Sequence, residues 1–285
     1  MKHGVLGPGG VGGFIAATLA RAGSPVSVIT RNRDHPPAIE VQSAALGSWS
    51  APVQVVPRLE TDAVDLLWVT VKATQLDAAL ELAPAELVRG TVVPLLNGID
   101  HVARLREVYG HVTPGAFGGE SERSAPGRIL QSSPFAWVQV AGYLAGPISL
   151  TFDGSGLKCT EAEDENVMLW QKLLLLAPLA LLTTAEELPV GGIISKPALE
   201  QRLLACVGEA AAVAQALGVK VAPEPVIKAI AGLPAGFRTS MQKDRAAGQP
   251  IELDAIAGPI LRGGRETGVP TPEVAALAER LQPFA

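Results

Sequence analysis

Gly7-Pro8-Gly9-Gly10-Val11-Gly12 comes directly after the apolar run His3-Gly4-Val5-Leu6 and leads into Gly13-Phe14-Ile15-Ala16-Ala17-Thr18-Leu19-Ala20-Arg21. A Gly-x-Gly-x-x-Gly run in that setting predicts a strand turning sharply into a helix. The first glycine makes the turn, the second lets the backbone approach a pyrophosphate, and the third lets the helix pack on the strand. The helix N-terminus adds unpaired N–H donors and a partial positive charge. Pro25-Val26-Ser27-Val28-Ile29-Thr30 then supplies a second, β-branched strand. The whole βαβ context is present, so Gly7, Gly9, Gly10, Val11 and Gly12 read as a dinucleotide cradle.

The residues after the second strand bear on which dinucleotide fits. A site for the non-phosphorylated cofactor usually carries Asp or Glu about twenty residues on, to bond the ribose hydroxyls. Here the strand runs into Thr30-Arg31-Asn32-Arg33, and the nearest acid, Asp34, comes after both arginines. A carboxylate would repel a 2′-phosphate, whereas a guanidinium binds it with two parallel donors. The charge pattern favours NADP(H), although an ordinary solvated loop would carry the same arginines.

At 285 residues the chain has room for one large domain or two ordinary ones. A net charge of -5 with scattered basic residues leaves no electrostatic footprint for nucleic acid. The longest apolar run, near Leu173 to Leu182, contains Pro178 and falls short of the roughly 18–20 residues of a membrane span. No membrane partner and no signal peptide are expected, and the cytoplasm is the default. Cys159 and Cys206 have no metal or redox spacing, and the four histidines (His3, His35, His101, His111) form no cluster.

The first half alternates strand and helix signals. After the opening unit come Gln54-Val55-Val56, then Ala63 to Val71, then Thr91 to Leu96, then a strand-rich stretch from Ile129 to Phe152. Near-continuous apolar strands separated by helices argue a parallel sheet covered on both faces. Pro94 cannot donate to a ladder, which puts its strand at an edge or a bulge. From Asp164 the pattern turns helical: Glu165 to Glu187, Pro197 to Leu217, Ala222 to Leu233, Ser240 to Ala247 and Pro272 to Leu281. Gly218, Gly248 and Gly268 fall where helix C-termini would put them. The reading is an α/β protein: a doubly wound parallel Rossmann sheet over residues 1–160, binding NADP(H), then an all-helical domain over 161–285 for substrate and dimerisation.

Reduction of a carbonyl needs a proton donor near the developing alkoxide. A Tyr-x-x-x-Lys pair is absent, since Thr113 and Pro147 stand four residues after Tyr109 and Tyr143. No histidine occurs after His111, so lysines remain. Lys172 sits mid-helix in Leu169-Trp170-Gln171-Lys172-Leu173-Leu174, where desolvation would lower its pKa and make it an acid near neutral pH. Local sequence alone favours a plainer reading, a lysine with its stem on the core and its head in water. Lys72 ends the strand Val69-Thr70-Val71, where a cation faces the cofactor crevice or simply solvent. Asn97-Gly98 closes the next strand, and its amide can both donate and accept. Ser240 and Glu252 flank a helix break at Gly248 to Pro250, which would bring them to one cleft; first-turn stabilisation of a helix also explains Glu252.

Together these residues resemble the ketopantoate reductase (2-dehydropantoate 2-reductase) family, nearly end to end. The resemblance is carried by the glycine loop, Arg31, Val71-Lys72-Ala73 with Gln75, Leu96-Asn97-Gly98 and Pro126-Gly127. It continues through Trp170-Gln171-Lys172-Leu173, Ser240-Met241-Gln242-Lys243-Asp244, Glu252-Leu253-Asp254 and Gly268-Val269-Pro270-Thr271-Pro272. It implies NADPH-dependent reduction of a 2-keto acid, ketopantoate first, with a small-molecule substrate and a possible homodimer. Lys172 would be the general acid, Glu252 would lie near the substrate hydroxyl and cofactor, and Ser240 and Asn97 would contact substrate. Arg31 would grip the 2′-phosphate, with Lys72 and Gln75 near the adenosine side.

Two departures leave other readings open. The family tends to carry asparagines one and two turns after the lysine, where this chain has Leu176 and Ala180. A small residue expected before Pro126-Gly127 gives way to Ser121-Glu122-Arg123. A paralogue reducing a more apolar carbonyl compound, or a non-catalytic NADPH-binding sensor, are the alternatives. A sensor would not need a buried acid at Lys172.

Overall fold

The computed structural model describes all 285 residues. They divide into two compact units, Met1–Leu96 with His101–Met168, and Asn97–Asp100 with Leu169–Ala285.

The first unit opens with β1 (His3–Leu6), α1 (Gly10–Arg21) and β2 (Val26–Ile29), then β3 (Ala38–Ser43), β4 (Gly47–Pro52), β5 (Gln54–Val56) and β6 (Val64–Val69). Next come α2 (Leu76–Leu80), β7 (Val88–Pro94), α3 (His101–Val108), β8 (Gly115–Gly118), β9 (Ser121–Ala125), β10 (Arg128–Gln131) and β11 (Trp137–Ala141). The unit closes with α4 (Ala145–Ser149), β12 (Lys158–Ala162) and the start of α5 (Glu165–Glu186). The main sheet is parallel, in the order β5-β2-β1-β6-β7, with Leu6 opposite both Ile29 and Val69. The strand order reverses between β1 and β6, the point at which such sheets take a ligand beyond their carboxyl ends. Pro94 is the last residue of the edge strand β7, so its missing N–H costs the ladder nothing.

Apolar runs explain the burial on both sides of this sheet. On one side Leu6, Leu67 and Val69 pack with Leu76, Leu80, Leu105 and Tyr109 from α2, α3 and its exit turn. On the other, Val5, Val28 and Trp68 meet Phe14, Ile15 and Leu19 of α1. Helix α1 is itself covered by a second sheet, β4-β3-β10-β9, through Ile39, Val41, Ala51 and Ile129. A third sheet, β12-β11-β8, completes the unit. Trp68 is fully buried and donates through Nε1 to His3 Nδ1 at 3.1 Å. Burial, reinforced by the nearby N-terminal charge, pushes the His3 imidazole down to about 4, so it stays a neutral acceptor.

One local expectation changes. Residues 145–152 are helical, α4 running into a 3-10 turn, rather than strand. The hairpin β3–β4 and the strands β8, β9 and β12 were not legible as separate elements.

The second unit holds most of α5, then α6 (Val190–Ile194), α7 (Pro197–Ala216), α8 (Pro223–Ala231), α9 (Ser240–Ala246), α10 (Leu253–Thr267) and α11 (Pro272–Leu281). Gly218, Gly248 and Gly268 close α7, α9 and α10 with φ of +84°, +65° and +74°, the left-handed closure expected at helix ends. Gly263 on α10 lets that helix cross α7 closely, since an added Cβ would lie 2.6 Å from Val213. Glu209 of α7 accepts from the backbone N–H groups of Glu273 and Val274 at 2.8 and 2.9 Å, so one helix caps another. Helix α5 continues through Pro178. It is long and apolar enough to cross a membrane by length and composition, and 72% of its apolar window is buried inside the protein.

Candidate functional site

The glycine loop divides its labour residue by residue. Gly7 has φ +89°, a left-handed conformation, and an added Cβ would run into the Val71 side chain. Thr70 locks this turn, its hydroxyl lying 3.0 Å from the Leu6 carbonyl and 2.8 Å from that of Gly7. A Cβ on Gly12 would overlap the Gly7 carbonyl and Thr70 Oγ1, so the third glycine seats the helix on the strand. Gly10 and Gly13 face the second sheet instead: a Cβ at Gly10 would strike the Ser121 carbonyl, and one at Gly13 would strike Ile129. Ser121 Oγ donates to the Gly10 carbonyl at 2.9 Å. Around Gly9, by contrast, nothing lies within 4 Å of an added Cβ.

That open position sits at the N-cap of α1. No side chain caps the helix, and its first turn holds no acid. Its leading N–H groups therefore present an anion site with room for a phosphate to approach. Arg31 follows the end of β2 and donates through Nη2 to the Ala78 carbonyl at 2.6 Å, leaving further guanidinium donors exposed. Lys72 precedes the 3-10 turn Ala73–Gln75 after β6, with Gln75 exposed. This set fits a phosphorylated dinucleotide: a glycine-rich turn open at Gly9, a helix N-terminus that no side chain caps, and a planar cation after the second strand.

In the second unit, three expected residues gather. Asn97 Nδ2 donates to Glu252 Oε2 at 3.3 Å, across 155 residues of sequence. Gly98 has φ +79°, and a Cβ there would collide with the Ala255 carbonyl, so this segment lies flat on the start of α10. Glu252 occupies the N-cap position of α10 but makes no side-chain cap bond. Its carboxylate, on a side chain 9% exposed, serves Asn97 and Lys172 rather than the helix end. Lys172 is half-buried on α5. Burial lowers its pKa to about 8, an effect the Glu252 charge partly offsets. A lysine so placed is charged at neutral pH and yields its proton readily.

Ser240 opens α9, exposed, and no hydrogen bond joins it to this trio. Leu176, one turn beyond Lys172, is half-buried, and Ala180, two turns beyond, is fully buried. Sequence reasoning missed Thr70 and gave Ser121 no structural part; a hydroxyl two residues before Lys72 was the available signal for the first. It also missed Gln242, whose side-chain amide is buried without a hydrogen-bond partner, and the Thr183–Thr239 hydroxyl pair at 3.1 Å, Thr239 being three residues before it.

The profile for "Ketopantoate reductase PanE/ApbA" matches residues 3–141, and that for its C-terminal domain matches 166–285. A 2-dehydropantoate 2-reductase from Caulobacter vibrioides is 33% identical over 290 residues, covering 99% of this chain and 98% of that protein. The fold is shared with D-mandelate dehydrogenase, solved with NADH and anilino(oxo)acetate: TM-score 0.89, 20% identity, 100% of this chain and 98% of the other. It is also shared with a dimeric ketopantoate reductase from Staphylococcus aureus: TM-score 0.85, 20% identity, 100% and 98% covered. Both halves of the chain are thus accounted for, and it belongs to the ketopantoate reductase PanE/ApbA family, NADP-dependent oxidoreductases that act on CH–OH groups.

Proposed function

We propose that this chain reduces a 2-keto acid to its 2-hydroxy acid with NADPH, ketopantoate to pantoate first, as a step of pantothenate biosynthesis. The observation that carries the reading is the lysine of lowered pKa set with a buried carboxylate and an amide in the helical unit. Gly7, Gly9, Gly10, Val11 and Gly12 with the α1 N-terminus would hold the pyrophosphate, Arg31 the 2′-phosphate, and Lys72 and Gln75 the adenosine side. When bound, NADPH supplies the hydride that the keto carbon accepts.

The chain's own residues handle the proton. Lys172 Nζ donates to the carbonyl oxygen as it becomes an alkoxide, leaving a neutral amine that solvent reprotonates. Glu252 keeps the lysine charged until that moment and accepts a hydrogen bond from the new hydroxyl. Asn97 orients substrate and nicotinamide, and Ser240 contacts the substrate from α9. We place the reaction in the cytoplasm and in a homodimer, which the dimeric Staphylococcus aureus neighbour supports, and we assign the pairing face to the helical unit.

A second reading has its own observation. Leu176 and Ala180 continue the Lys172 face of α5 without a polar atom. A substrate hydroxyl left unpaired there is penalised by about 1–3 kcal/mol, which favours a more apolar keto acid. The D-mandelate dehydrogenase neighbour handles an aryl-bearing ligand on the same fold. NADPH consumption by the purified protein, with ketopantoate beside aryl and branched 2-keto acids and with NADH as control, separates the two. NADPH-selective turnover of ketopantoate supports the first reading, and turnover of apolar acids alone supports the second. Consumption with none of them would defeat both and favour a sensor.

The pH profile derives from the site. Because the proton donor is lost as Lys172 deprotonates, kcat/KM should fall above pH about 8. The Glu252 carboxylate raises that pKa, so Glu252→Gln should move the alkaline limb to lower pH as well as slow turnover. A limb that stays in place in the variant would uncouple the two residues.

A further inference from the structure

Arg262 on α10 is not assigned any part in the reaction, yet it reaches both sides of the Asn97–Glu252 contact. Nη1 donates to Asp254 Oδ1 at 2.6 Å, two residues beyond Glu252. Nη2 donates to Asp100 Oδ2, three residues beyond Asn97. Gly258 makes this possible, because a Cβ there would overlap the guanidinium as it folds back along the helix towards Asp254. The short segment Asn97–Asp100 belongs to the helical unit and lies along α10 with three points of attachment. These are the Asn97 amide on Glu252, Gly98 on the Ala255 carbonyl, and Asp100 on Arg262.

Exposed ion pairs add little to stability, and here the side chains of Arg262, Asp100 and Asp254 are 43%, 54% and 83% exposed. A planar fork shared by two carboxylates does fix geometry. We propose that Arg262 is a positioning residue, a clamp that sets the Asn97 amide against the Glu252 carboxylate. The proposal rests on the reading that these two residues serve substrate and cofactor.

Arg262→Met and the milder Asp100→Asn should lower kcat/KM about tenfold and threefold, with unchanged thermal midpoints. Arg262→Lys should recover only part of the loss, since one ammonium cannot reproduce the fork. In an Asn97→Ala background, Arg262→Met should add less than a twofold further loss, because the clamp acts through Asn97. Backbone amides of residues 97–100 should exchange hydrogen faster in Arg262→Met while those of α7 do not change. A multiplicative effect in the double variant, or unchanged exchange at 97–100, overturns the clamp. Faster exchange together with wild-type turnover in Asn97→Ala would retain the clamp and instead defeat the role given to Asn97.

Discussion

Lys172→Ala should bind NADPH as the wild type does and reduce its keto acid slower by roughly 10²- to 10⁴-fold, the usual span for loss of a positioned general acid. The loss should appear in kcat, because the proton moves only as the alkoxide forms. Stability should not track activity. The folded lysine has its pKa near 8 against an ordinary 10.5, so between those values the unfolded chain binds more protons than the folded one. Wild-type stability therefore rises with pH through that window, and below it the fold carries the cost of a desolvated charge. Lys172→Ala should lose that pH dependence and be no less stable at neutral pH. Thermal midpoints across pH 7 to 11, read beside cofactor titrations and initial rates, check these outcomes. Equal losses of cofactor binding and turnover would mean the lysine serves the cofactor and not the proton.

Gly10→Ala should damage the fold and the cofactor site together. Its methyl group would strike the Ser121 carbonyl oxygen and stand 2.7 Å from Glu122 Cα, all backbone atoms that no rotamer change can relieve. Strand β9 or the start of α1 must move, at about 1–3 kcal/mol for overpacking, and the helix N-terminus moves with it. Gly9→Ala, one residue earlier, meets nothing within 4 Å. It should keep the wild-type thermal midpoint yet weaken NADPH binding, because its methyl group occupies the approach a phosphate needs. Calorimetry and cofactor titration of the two variants, side by side, check the division. If Gly9→Ala binds NADPH normally, the open space at the helix N-cap is not the phosphate position.

The contrast between these neighbours shows what the sequence discloses and what it withholds. The βαβ opening, the edge placement of Pro94 and the glycine closures of three helices were legible because each is a local consequence of backbone chemistry. The role of Gly10 was not, since its constraint comes from Ser121, 111 residues away. The second sheet was hidden for the same reason: β3 pairs in parallel with β10, joining Glu40 to Arg128 across most of the unit. Its strands also alternate buried and exposed residues, as in Ile39-Glu40-Val41-Gln42, a weaker signal than the continuous apolar runs of the main sheet. The helix at 145–152 failed as a strand because a short apolar run with Gly146 and Pro147 has no decisive period.

The site was divided in the same way. Lys172 read locally as a snorkelling lysine; tertiary burial is what lowers its pKa, and Glu252, brought in from distant sequence with Asn97 bonded to it, partly offsets that and keeps the ammonium charged at neutral pH. Glu252 read locally as a helix-start acid, and the fold leaves it at the N-cap with its carboxylate turned to other partners. Arg262 gave no sequence signal at all, since neither of its carboxylates declares a partner until α10 and the 97–100 segment lie together.

Hydride from NADPH leaves a permanent mark at C2 of the product, whereas the proton from Lys172 goes to a hydroxyl that exchanges with solvent and shows only in the rate, so isotopic labelling over a fixed interval reads both. The purified enzyme is incubated with ketopantoate, and separately with an aryl 2-keto acid, using NADPH deuterated at both C4 positions, and the products are weighed by mass spectrometry. A 2-hydroxy acid carrying one deuterium at C2 is expected from the wild type, with only a trace from Lys172→Ala over the same interval. Tight NADPH binding without a deuterated product from either acid would contradict hydride transfer by this chain. Equal label incorporation by wild type and Lys172→Ala would contradict the role of the lysine.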